Sequence, residues 1–198
     1  MRQILKRISF ENIWLWSRYI CFYLLNQPKY KKLGYTALIV RPLRIVGQHY
    51  ISVCRKVRVN SGVWLLAQKI DDNEPALIIN EGCVLGDSNH IVAVRSVVLG
   101  KNVLTANNVY ISDNLHSFDD VNTPIMFQPV RFKGAVNVGD GAWIGENVAI
   151  IGASVGKNSV VGANSVVTKN IPDYSIAVGS PARVIKQFNF QTKKWEKV

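Results

Sequence analysis

The amino-acid sequence predicts an all-β solenoid, and three observations carry that expectation. Apolar residues return at every sixth position over most of the chain. The windows open on Val53, Val59 and Leu65; Ile79, Leu85 and Ile91; Leu99, Thr105 and Ile111; Val138, Ile144 and Ile150; Val155, Val161 and Val167, and only Thr105 among these is polar. Glycine follows the opening residue at Gly86, Gly100, Gly139, Gly145, Gly156 and Gly162. The fifth position is small or apolar in most windows, as at Cys83, Val103, Ala142 and Ser165. A period of six suits neither a helix nor a simple alternating strand. It suits a stack in which each window is one short flat strand and a corner. Position one points to the centre, the next residue turns, and position five packs beside the corner.

The elements follow in chain order. Residues 1–44 hold nine Lys or Arg (Arg2, Lys6, Arg7, Arg18, Lys29, Lys31, Lys32, Arg41, Arg44) against Glu11, which is +8 of the chain's net +11. The repeat itself is therefore only mildly basic. The segment Ile13–Leu25 is apolar and aromatic, with Trp14, Trp16, Tyr19 and Tyr23, and reads as a helix ending before Pro28. Thirteen residues interrupted by Arg18 are too few to span a bilayer, which needs about 20, and no signal-peptide cleavage site follows. Two roles fit: packing on the first coil or another subunit, or lying at a membrane interface with its cations on anionic lipid. Nucleic-acid binding is not expected, because no recognised module accompanies the charge.

Cys21, Cys54 and Cys83 form no CxxC pair, which suits a reducing compartment. The expected location is the cytoplasm, with the inner face of the membrane as the setting if the helix docks there. The rhythm is interrupted between Gln68 and Leu77, by two extra residues at Val97 and Val98, and by one missing near Ser154. The longest break, residues 113–136, contains His116, Phe118, Phe127 and Phe132. A long aromatic loop in a solenoid reads as functional. The expected divisions are an extension over 1–50, a solenoid over 51–180 with loop 113–136, and a tail over 181–198.

The stretch Gly141-Ala-Trp-Ile-Gly-Glu-Asn-Val-Ala-Ile150, with Val161-Gly-Ala-Asn-Ser-Val-Val-Thr-Lys-Asn170 and Ile171-Pro-Asp-Tyr-Ser-Ile-Ala-Val-Gly-Ser-Pro-Ala-Arg-Val-Ile185, resembles the hexapeptide-repeat acyltransferases. The likeness is to the maltose, galactoside and polysaccharide O-acetyltransferase branch and covers roughly residues 40–190. It implies a left-handed parallel β-helix with three windows per coil, a short N-terminal helical extension, one long protruding loop, and a homotrimer with a CoA channel between neighbouring subunits. Nothing in the spacing itself sets the left hand.

By that resemblance His116, at the mouth of the long loop, is the general base. A sugar hydroxyl needs a base near neutral pKa to remove its proton as it attacks. A carboxylate or backbone carbonyl should hold the other ring nitrogen; Asp113 is nearest in sequence, while Asp87, Asp119 and Asp120 compete. Acetyl-CoA is the implied cosubstrate. Trp143 corresponds to an aromatic lining its channel, and the backbone N–H near Gly145 to a donor for the thioester oxygen. Ala163 lets the pantetheine arm pass, Thr168 and Lys169 meet the nucleotide end, and Arg183 and Lys186 add charge for phosphates. No metal is expected, and no cysteine stands where an acyl-enzyme would form. His49 and His90 read as surface or corner residues, with lining of the acceptor cleft as the lesser alternative for His90.

Relatives acting on simple sugars place Asn and Asp on the coil before the catalytic histidine. Here Ser88 and Ala93-Val94 stand instead. That turns the expected acceptor towards a surface-polysaccharide unit or a lipid-linked intermediate. The alternatives are a non-catalytic β-helix scaffold, N-acetylation of an amino sugar, serine O-acetylation, and a γ-type carbonic anhydrase. The last is disfavoured because the three histidines lack that family's spacing.

Overall fold

A computed structural model describes Ser17 and residues 20–198. Three sheets of short parallel strands wind around one axis, so that the chain visits them in turn. We call them sheets A, B and C in the order of the visit. The first coil holds Lys32–Leu33 on A, Leu38–Ile39 on B and Arg44–Val46 on C. The second holds Ile51–Val53, Arg58–Val59 and Trp64–Ala67; the third Ala76–Ile79, Val84–Leu85 and His90–Ala93; the fourth Ser96–Leu99, Leu104–Thr105 and Tyr110–Ser112. The fifth, Val136–Val138, Trp143–Ile144 and Ala149–Ile151, is followed by a sixth and part of a seventh.

Strand register shows why period six forms this structure. On sheet A, Leu33, Val53, Ile79, Leu99 and Val138 stand in one column, extended by Val155 and Ile171. On B the column is Ile39, Val59, Leu85, Thr105, Ile144, Val161 and Ala177. On C it is Ile45, Leu65, Ile91, Ile111, Ile150 and Val167. Every window start from Val53 to Val167 lies in a column and is buried. The columns form one continuous core, whose burial supplies the drive for stacking. Asn102, Asn108, Asn147, Asn158 and Asn164 adopt positive φ, a conformation Asn tolerates better than most residues. The three parallel sheets fit a left-handed β-helix.

The polar exception in the core is satisfied by a second exception. Thr105 Oγ1 accepts from Asn89 Nδ2, and Asn89 Oδ1 accepts from the Val109 N–H. Both side chains are fully buried. Cys83 is also buried; its thiol donates to the Gly100 carbonyl at 2.9 Å, and burial pushes its pKa up to about 11.

Two expected boundaries are corrected. The β-helix begins at Lys32, inside the segment read as an extension over 1–50, because Leu33, Ile39 and Ile45 already occupy the three columns. The segment 181–198 is not a free tail. Arg183–Asn189 pairs antiparallel with Ser175–Val178, and Lys194–Lys197 adds a further strand to sheet B. Before the first coil, residues 20–26 are helical and Gln27–Lys29 forms a 3-10 turn at Pro28. Phe22 and Tyr23 pack against the core. Trp14, Trp16 and Tyr19 lie outside the described residues. Among the described residues no helix is long and apolar enough to cross a membrane.

The breaks in rhythm share one edge. The segment 68–75, the corner Val94-Arg95, residues 113–135 and the turn 152–154 all connect sheet C to sheet A. Irregularity is thus confined to one corner of the prism, and the other two keep tight turns.

Candidate functional site

The chain between the fourth and fifth coils forms an antiparallel hairpin, Asn114–His116 with Val130–Phe132. Residues 118–127 at its far end are mostly exposed. The hairpin starts where the C strand Tyr110–Ser112 ends, so His116 stands on the C–A edge.

Asp113 fixes the hairpin base. Its side chain is fully buried. Oδ2 accepts from the backbone N–H groups of Arg95 and Ser96 at 2.8 and 2.7 Å, and the Val94 N–H reaches both oxygens at 2.9 and 3.1 Å. Oδ1 also accepts from Asn114 Nδ2 at 3.0 Å. The Asp113 carbonyl accepts from Lys133 and Gly134 at the hairpin's other end. The pairing of Asp113 with His116 is therefore corrected: its carboxylate oxygens are taken up by the preceding corner. Among the described residues the His116 ring has no hydrogen bond to Asp87, Asp119 or Asp120 either. Asp119 pairs with Arg131 at 2.6 Å, and Asp120 accepts from Asn122 and Thr123.

Arg95 braces the same edge. Its guanidinium binds Asp71 Oδ2 at 2.6 and 3.1 Å and lies over the Phe132 ring at 4.7 Å. The segment 68–75 is thus tied to the hairpin through one side chain. The Arg95 guanidinium and the Asn73 amide hold the Asp71 carboxyl at a pKa of about 2.

Between hairpin and sheet C lies a cavity of about 310 Å³. His116 lines it, with Leu115 and Val130 from the hairpin, and Leu66, Ile70, Val92 and Val94 from sheet C and its edge. Trp64, His90 and Tyr110 form a ladder on its wall. They are neighbours on successive C strands. Trp64 and His90 stack at 4.1 Å with planes 7° apart, and His90 meets Tyr110 at 5.3 Å. Arg44 sits over Trp64 at 5.8 Å. Trp64 Nε1 and His90 Nε2 are buried without a hydrogen-bond partner, a costly state for two polar atoms beside a cavity. Burial lowers the His90 pKa, which favours its neutral ring. No carboxylate lines the cavity.

The sequence reading missed this ladder and placed His90 first at the surface or a corner, with a cleft-lining role only as the lesser alternative. The signal was present. Each ladder residue directly precedes a window start, Leu65, Ile91 or Ile111, so aligned windows stack all three. Val94 lines the cavity, whereas Ser88 lies exposed at the B–C corner.

The residues expected on the donor side fall elsewhere. Trp143 is on sheet B and half exposed. Arg183 and Lys186 are on the antiparallel strand that extends B. Ala163 is exposed at the B–C corner, and Thr168 and Lys169 are exposed beyond the last C strand. Lys169, Arg183 and Lys186 have no carboxylate partner among the described residues. None of these lines the His116 cavity. The expected oxyanion role of the Gly145 N–H is corrected, since it donates to the Val161 carbonyl at 2.8 Å. Glycine is needed there for stacking: a Cβ would lie 2.7 Å from Ala163 N and 2.8 Å from Val161 O.

The columns, the three-sheet wrap and the hairpin at one edge define a parallel β-helix of hexapeptide repeats. The chain is similar to the hexapeptide-repeat acyltransferases. Residues 135–169 match the family described as the hexapeptide repeat of succinyl-transferase. WbbJ of Escherichia coli K12, named as a lipopolysaccharide-biosynthesis O-acetyl transferase, is 38% identical over 128 residues, covering 61% of this chain and 65% of WbbJ. Galactoside O-acetyltransferase of the same organism is 38% identical over 106 residues, covering 53% of this chain and 51% of that protein. The match thus spans between half and two thirds of these relatives. Among solved structures, the N-acyltransferase AntD of Bacillus cereus superposes with a TM-score of 0.69 at 18% identity, covering 86% of this chain and 90% of AntD. The hexapeptide-repeat acetyltransferase VCA0836 of Vibrio cholerae superposes at 0.55 and 19%, covering 95% and 94%. These two likenesses concern the fold.

Proposed function

We propose that the protein is an acetyl-CoA-dependent O-acetyltransferase that modifies a sugar hydroxyl of a glycan. The observation that carries the reading is His116 opening into a cavity walled by an aromatic ladder. The sequence relatives named for O-acetyl transfer support the chemistry. A pyranose has an apolar face suited to Tyr110 and the edge of the ladder, and its hydroxyls suit the two unpartnered nitrogens. His90, kept neutral, can hold a hydroxyl without adding charge. The apolar walls Leu66, Val92 and Val94 suit an acceptor with few exposed hydroxyls on that side, such as a substituted or deoxy sugar.

In this mechanism the His116 imidazole takes the acceptor hydroxyl proton as the oxygen attacks the thioester carbonyl. The tetrahedral intermediate collapses, the carbon–sulfur bond breaks, and imidazolium returns the proton to the departing CoA thiolate. Asp113 acts through the backbone, holding the hairpin that carries His116. Trp143, Ala163, Thr168, Lys169, Arg183 and Lys186 are the donor-side candidates, and the three unpaired cations among them suit the CoA phosphates. They lie mainly on sheet B and its corner, whereas His116 serves sheet C. One chain does not bring the two sets together, but a neighbouring copy with its B face against this edge would. The assembly is accordingly a closed homotrimer with three shared sites.

Incubation with labelled acetyl-CoA and a panel of free, nucleotide-linked and lipid-linked sugars tests the reading. The expected product is an acetyl ester that mild alkali removes. An alkali-stable amide would move the activity to amino sugars. No CoA retention and no transfer to any acceptor would leave a scaffold.

A further inference from the structure

The charge on this chain is divided between its two ends. Residues 12–70 hold ten Lys or Arg and no Asp or Glu, whereas residues 71–198 hold eleven against twelve acids. The fold converts that division into geometry. Coil one supplies the outer strand of all three sheets at the N-terminal end, and coil two lies directly behind it. Arg55 and Lys56 are paired with Glu81. Lys29, Lys31, Lys32, Arg41, Arg44 and Arg58 are all exposed and have no carboxylate partner among the described residues.

Apolar side chains share this end. Phe22 and Tyr23 point to the core, and the helix turns Leu24 and Leu25 outward, 66% and 72% exposed. In the first coil Tyr35 and Leu43 are 52% and 72% exposed. Cations alone would be explained as protection of three open strand edges. Large apolar groups set among them work against that protection, and together the two make the composition of an interfacial surface.

We propose that the basic N-terminal end of the β-helix docks on an anionic membrane surface, with Leu24, Leu25, Tyr35 and Leu43 entering the interface and the unpaired cations meeting lipid phosphates. Resting on the acetyl-transfer reading, the docked position also selects the acceptor: a sugar carried on a membrane-anchored phosphate lipid. His116 follows the fourth coil, three rungs from the outermost one. At about 4.8 Å per rung it stands roughly 14 Å above the docked end. That height suits a sugar one or two units beyond a headgroup phosphate. The cavity lining extends towards that end, with Trp64, Leu66 and Ile70 coming from the second coil and the segment after it.

Flotation of the full chain with vesicles tests the docking, using phosphatidylcholine alone and an equimolar mixture with phosphatidylglycerol. The expected result is flotation with the mixture only, lost as added salt shortens the screening length. Replacing Lys29→Gln, Lys31→Gln and Arg41→Gln together should lower partitioning about fivefold per cation, roughly a hundredfold per chain, equivalent to about 1 kcal/mol each. Leu24→Ser with Leu25→Ser should weaken it separately. Neither variant should change turnover on a soluble acceptor. Absence of flotation at low salt overturns the proposal. So does flotation insensitive to both variants, or light scattering in which Leu24 and Leu25 are buried between two assemblies and vesicles are ignored. Flotation without acetyl transfer to any sugar overturns the catalytic reading and leaves the docking intact.

Discussion

Replacing Asp113 by Ala should cost stability and turnover together, because one buried carboxylate holds both the corner of the third coil and the hairpin that carries His116. Three backbone N–H groups lose their acceptor. Val94 is buried at 2% exposure, so its stranded donor costs about 2 kcal/mol; Arg95 and Ser96 are half-buried, where water can partly replace the oxygen, and cost about 1 kcal/mol each. The sum is about 4 kcal/mol, or a fall in Tm of roughly 8–16 °C for a chain of this size. Thermal unfolding should be compared at equal protein concentration, because the proposed assembly would link Tm to concentration. With the corner loosened, the Asn114–His116 strand loses its fixed origin, and kcat should fall while acetyl-CoA affinity stays near its original value. A variant within 2 °C of the parent Tm and with unchanged kcat would refute the account of Asp113 as the anchor. A loss of acetyl-CoA binding equal to the loss of kcat would refute its local action.

His116→Ala should lower kcat by about 10²–10⁴-fold with acetyl-CoA binding retained, measured by steady-state kinetics and calorimetry. Arg95→Gln should return the Asp71 midpoint from about 2 towards the ordinary carboxylate range in an NMR titration. The shift is a depression, so the stabilisation it reports is present above the unfolded value and fades as pH falls towards 2; in the variant that acid-dependent loss should shrink to the part the Asn73 hydrogen bonds sustain. Thr105→Val should leave the buried Asn89 Nδ2 without an acceptor and cost about 1–3 kcal/mol, read as a lower denaturation midpoint with unchanged m. Mixing His116→Ala with Trp143→Ala subunits and reassembling them should restore activity that neither variant has alone, since some interfaces regain an intact His116 opposite an intact Trp143.

The repeat was legible because inward positions in a stacked coil accept little but aliphatic side chains, and the period survives every A–B and B–C corner. Val53 through Val167 could be assigned to columns by counting in sixes. The first coil escaped notice although Leu33, Ile39 and Ile45 keep the same step. Its outward positions carry Lys31, Lys32, Arg41 and Arg44, which made the segment read as a charged extension. His116 was singled out by its place in the longest interruption and by resemblance to a family. Its surroundings were less legible. The donors to Asp113 are backbone N–H groups eighteen or so residues earlier, and a backbone donor leaves no mark in residue identity. The Gly145 N–H failed as an oxyanion donor for a related reason: a ladder position spends its N–H on the next rung, and only register shows this.

The placement of the site follows from what a stacked repeat can tolerate. A strand inside a sheet must meet a strand on each side, so extra residues can leave only at a corner. Here they leave repeatedly at the C–A corner, in coils that lie directly above one another. The segment 68–75, the Val94-Arg95 corner and the hairpin are therefore superposed along the axis without any need for long-range folding signals. Arg95 and Asp113 then join the three layers, one through its guanidinium and one through its carboxylate. Sheet C supplies the wall, because the outward residues of successive rungs stand about 4.8 Å apart, close enough for Trp64, His90 and Tyr110 to touch. A rigid wall with a hairpin over it is a cavity whose floor cannot shift and whose cover is held at its base. In the proposed reaction such a cavity would hold the acceptor in one orientation, which is the condition under which a single imidazole is effective as a general base.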